Sequence, residues 1–131
     1  MKKLLMLAAL MLVASPAMAE KLLPDEATAE TLTQCAVMFT DQRELAAKDN
    51  APEEAKVYET AAAAYSITAM AYMPGDDEEQ VRGKLEAWKQ SFENKLPTMA
   101  HEDVQKLAQD CDALDPKVRA VVEALRAAQG Q

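Results

Sequence analysis

Residues 50–73 read NAPEEAKVYETAAAAYSITAMAYM. Tyr58, Ala62, Tyr65, Ala69 and Tyr72 fall at alternating spacings of four and three, so large and small side chains share one face of a helix. The small residues let a neighbouring backbone come close while the tyrosine rings fill the flanks. Asn50 followed by Glu53 resembles a capping box with Asn in the Ser/Thr place, which predicts a helix over about 51–73.

The same helical period runs outward on both sides. Toward the N-terminus, Asp25 is a plausible cap and Leu32, Cys35, Ala36, Phe39 and Ala46 form the apolar face of a helix over about 25–48. Beyond Pro74-Gly75-Asp76, a helix over about 77–96 starts in Asp76-Asp77-Glu78-Glu79, carboxylates that suit the positive end of its dipole. Its stripe is Val81, Leu85, Trp88 and Phe92, slightly weakened by Gly83. After Pro97, Thr98 can cap a helix over about 99–114 that turns Val104, Leu107, Ala108, Cys111 and Leu114 inward. Asp115-Pro116 carries a start signal, an acidic cap before a proline at the first helical position, for a fifth helix over about 116–129. Val118, Val121, Val122 and Leu125 are its expected buried edge. No sustained β-branched alternation supports a strand. The expected fold is an all-α, four- to five-helix up-down bundle in which the short connections make successive helices antiparallel neighbours.

At the start of the chain, Lys2-Lys3 precede an uncharged apolar run from Leu4 to Ala14, then Ser15-Pro16 and an A-x-A site at Ala17-Met18-Ala19. That order is the pattern of a cleavable secretory signal peptide over residues 1–19. The apolar run is too short to span a membrane, which needs about 20 residues. No cysteine stands at the cleavage point to carry a lipid. The expectation is a single helical domain over 20–131 with no stable membrane anchor, in the periplasm of a Gram-negative bacterium or secreted. Loss of Lys2 and Lys3 takes the net charge from −8 to −10. So acidic a chain repels nucleic acid and anionic membrane surfaces.

The two cysteines, Cys35 and Cys111, are most simply one structural disulfide in an oxidising compartment. No C-x-x-C pair supports a redox role. The leader, an early and a late cysteine and the acidic helical composition are shared with the HdeA-type acid-stress chaperones of the periplasm. The Cys35–Cys111 distance is too long for that family and no other motif matches, so the chain is not assigned to it.

Three constellations bear on function. Met70, Met73, Met99 and His101 pair thioethers with an imidazole, a soft set that suits Cu(I), although Met is also an ordinary filler of helical cores. His101 followed by Glu102 and Asp103 could serve as a general base, yet no nucleophile accompanies it; a surface His in a first helical turn, with Glu102 and Asp103 complementing the helix dipole, is the simpler account. Tyr58, Tyr65 and Tyr72 recur every seven residues and offer either a core stripe or a partner-binding face. The acidic run at 76–79 lacks the alternating pattern of a calcium loop. With no catalytic constellation and no cofactor motif, the expectation is a non-enzymatic, cofactor-free binding or interaction protein, accessory or chaperone-like, whose partner is a protein. A copper-binding protein using the Met/His set is the alternative.

Overall fold

The computed structural model describes residues 23–130, so the expected signal peptide, residues 1–19, lies outside the described residues. Among the described residues there are four α-helices and no strand: α1 (Glu26–Lys48), α2 (Pro52–Tyr72), α3 (Glu78–Lys95) and α4 (His101–Ala128), with a 3-10 turn, Leu96–Thr98, before α4. The chain is an all-helical bundle. None of these helices is long and apolar enough to cross a membrane.

α1 and α2 form the most closely packed pair, and α3 and α4 each pack against both. Close approach of α1 and α2 follows from the small side chains in their interface: Ala29, Ala36 and Ala69 are buried beside Leu32, Tyr65 and Tyr72. At one end of the pair, the Asp25 amide donates to the Tyr72 carbonyl at 2.9 Å. The core then extends to Phe92 of α3 and to Leu107, Cys111, Val118 and Val121 of α4. Val81, Leu85 and Trp88 of the expected α3 stripe are half-buried against it.

The Cys35–Cys111 disulfide ties α1 to α4, with Cα atoms 5.9 Å apart, and both cysteines are fully buried. On the chain-entropy argument, closing a loop this long stabilises the fold by up to about 4.5 kcal/mol.

Cap chemistry at Asp25 follows the sequence reading: its carboxylate accepts from the Thr28 amide and from the Thr28 hydroxyl. Asp77 does the same for α3, accepting from the Glu79 and Gln80 amides.

Four expectations are corrected. Asn50 does not cap α2. It sits in the left-handed region at φ 58° and ends α1, with its amide on the Ala47 carbonyl and the Ala51 amide on the Ala46 carbonyl. This is a Schellman ending, in which Asn takes the place usually held by Gly because its short polar side chain tolerates that conformation. The N-cap of α2 is Ala51, whose side chain makes no capping bond, and Pro52 opens the helix. Thr98 does not cap α4 either. Its hydroxyl donates back to the Lys95 carbonyl within the 3-10 turn, and α4 starts after Ala100.

The third correction is the largest. Asp115-Pro116 does not divide two helices; α4 runs unbroken through it. A proline inside a helix forfeits a backbone hydrogen bond and costs about 3 kcal/mol. Burial of one continuous stripe on both sides of the proline, Leu107 and Cys111 before it and Val118 and Val121 after, offsets that cost. Local contacts add to it. The Tyr65 hydroxyl donates to the Cys111 carbonyl at 3.0 Å, and Arg119 donates to the Asp115 carboxylate at 2.6 Å. The fourth correction concerns Leu125, expected on a buried edge but 41% exposed, because the last turns of α4 extend past the buried core, whose final α4 residue is Val121.

Candidate functional site

The tyrosine stripe of α2 is mostly core. Tyr65 is buried against Phe39, edge to face with ring centres 5.0 Å apart, while the half-buried Tyr58 stacks on the same Phe39 at 6.4 Å. The Tyr65 hydroxyl lies at the middle of α4, on the Cys111 carbonyl and 3.4 Å from the Asp115 carboxylate. Burial first, and then the Asp115 charge, push its pKa up to about 12. Tyr72 is buried at 3% exposure and its hydroxyl has no hydrogen-bond partner among the described residues. Burial and the Asp25 charge raise its pKa. Lys117 reaches over its ring, 6.0 Å from the centre. No tyrosine of the stripe presents a whole face to solvent.

The methionines and the histidine differ in their surroundings. Met70 is 37% exposed and lines a cleft of 270 Å³ between α1, α2 and α3. Met73 is buried and lines a smaller one, 180 Å³, formed with the Pro74–Asp77 turn. Met99 is half-buried against the core, and His101 is exposed in the first turn of α4. Neither cleft is lined by Met99 or His101. Among the described residues, no three His, Cys, Asp or Glu side chains come together as a metal-binding group.

A cleft larger than either lies elsewhere. Beyond the Tyr65–Asp115 contact, α2 and α4 leave an open cleft of 840 Å³. Its α2 wall is Val57, Thr60, Ala61 and Ala64, and its α4 wall is Val118 and Val122. Val57 is 65% exposed, the most exposed large apolar side chain within any of the four helices. Charged groups rim this apolar floor: Glu53 and Lys56 on α2, and Asp115, Arg119, Glu123 and Arg126 on α4. Asp115 and Arg119 pair with each other, and that contact holds the Arg119 guanidinium above its ordinary pKa.

Reading the sequence for a binding face singled out the tyrosines and passed over this cleft. Its signal was present: Val57, Ala61 and Ala64 stand at i, i+4 and i+7, a second small apolar stripe beside the tyrosine face. The expected helix break at Pro116 hid the other wall, since Asp115 to Arg126 were assigned to a separate helix.

Compared with known proteins, the chain matches no family model, no curated protein and no solved structure.

Proposed function

We propose that this is a helical binding protein, accessory or chaperone-like rather than catalytic, that uses the α2–α4 cleft to hold an apolar surface of a protein partner. The observation that carries this reading is the open cleft itself, with an apolar floor, a charged rim and Val57 exposed at its mouth. A lone exposed apolar side chain needs no explanation; one beside a cleft of this size, between two helices, favours recognition. Helix walls whose lining residues recur at three and four suit a helical occupant, which lays its own apolar ridge between them. The buried Cys35–Cys111 disulfide, with no free cysteine among the described residues, supports an oxidising compartment, the periplasm or the exterior. The leader-like start of the chain points to the same address.

The test is uptake of an apolar fluorescent probe by the purified protein. Val57→Glu should abolish most of the uptake, whereas Ile67→Glu, at an exposed apolar position of α2 that does not line the cleft, should leave it unchanged. Equal effects of the two substitutions, at unchanged helix content, would refute the assignment.

A further inference from the structure

We infer that the face formed by the rims of the α2–α4 cleft is the contact with a second copy of this chain, related by a twofold axis; this rests on the cleft being the binding surface. The charges of the rim carry it. Asp115 and Arg119 neutralise each other within the chain. That leaves Glu53 and Lys56 on α2 and Glu123 and Arg126 on α4, none of them in an ion pair among the described residues. On each helix an acid is followed three residues later by a base, so both share one exposed face one turn apart.

A twofold axis crossing such a helix runs it antiparallel to its own copy. It then sets residue i opposite residue j of the copy, and j opposite i. The acid of each copy meets the base of the other, twice on each helix. One axis can serve both helices, because both pairs line the same cleft, two to three turns of helix from the Tyr65–Asp115 contact.

The net charge is −8, so most orientations of two copies repel. The cleft rim is an exception, with three acids against three bases. It is also where Val57 lies exposed, opposite the α4 wall of Val118 and Val122. Apolar side chains meet at the centre and complementary charges enclose them, the arrangement of a specific interface.

Sedimentation of the full chain over a wide concentration range tests this. Wild type is expected to pass reversibly from monomer to dimer. Lys56→Glu sets acid against acid on both sides of the axis and should weaken the dimer about tenfold. The double variant Glu53→Lys, Lys56→Glu keeps an acid opposite a base across a twofold axis, and should dimerise as wild type does. A partner lacking that symmetry would not tolerate the exchange. A dimer that the exchange leaves weakened would overturn the twofold contact. A wild type that stays monomeric, yet takes up the apolar probe in a manner lost with Val57→Glu, would overturn the second copy and leave the cleft as the binding site. A monomer without that uptake would overturn both.

Discussion

Tyr65 and Tyr72 stand two turns apart on one face of α2, and both are buried, but their hydroxyls meet different surroundings. That of Tyr65 donates to a backbone carbonyl of α4; that of Tyr72 has no partner among the described residues. Removing a buried hydroxyl costs its hydrogen bond where there is one, and relieves a desolvated polar group where there is none. In urea unfolding, Tyr65→Phe should therefore lose about 1 kcal/mol and Tyr72→Phe should lose nothing or gain slightly. Proton linkage gives a second consequence. Tyr65 holds its proton to about pH 12 in the folded chain, against a usual value of 10.0, so the folded state binds that proton more tightly. Its contribution is complete below pH 10 and disappears between about pH 10 and 12, where the unfolded chain ionises first. Tyr72 is raised in the same direction. Stability followed against pH should fall across that window in wild type and fall less in Tyr65→Phe.

At the scale of the element, α4 shows which sequence signals govern and which yield. From Val104 to Leu125 the apolar positions recur at three and four without a gap, straight across Pro116. The local signal at Asp115-Pro116 is a strong helix start, and it yields because a single buried stripe is worth more than one lost backbone hydrogen bond. Replacing the proline where it interrupts a continuous helix should stabilise the fold. Pro116→Ala is expected to raise the unfolding temperature, by the equivalent of about 1 kcal/mol or more. At a true first helical position the same change would lower it or leave it unaltered. The α1–α2 turn gives a parallel case, since a left-handed Asn at a helix end reads like a cap for the helix that follows. Asn50→Ala should cost about 1 kcal/mol and Asn50→Gly should not, as glycine enters that region without penalty. All-helical class, disulfide partners and most of the core were legible in the sequence, because they follow from spacing. The choice between two uses of one residue, at Asn50, Thr98 and Asp115, was not, because tertiary packing decides it. The cleft was hidden for the same reason: one of its walls exists only when α4 is continuous.

At the scale of the whole molecule, the four helices of the described residues are held by one covalent tie and one shared core. Reduction of Cys35–Cys111 should lower the denaturation midpoint substantially, up to a limit of about 4.5 kcal/mol on the chain-entropy argument. The tie joins α1 to α4 close to Tyr65, and the cleft between α2 and α4 lies beyond that point. A rigid anchor at one end of an open cleft presents its walls in a fixed geometry, which favours a specific occupant over loose apolar adhesion. On the reading proposed above, this cleft is where the protein meets its partner. Site-specific photocrosslinking in intact cells tests it most directly, with a photoreactive side chain placed at Val57 or, for comparison, at Ile67. A discrete product is expected from position 57, at twice the mass of the chain, and none from position 67. Equal labelling from both positions, or a product from 67 alone, would contradict it.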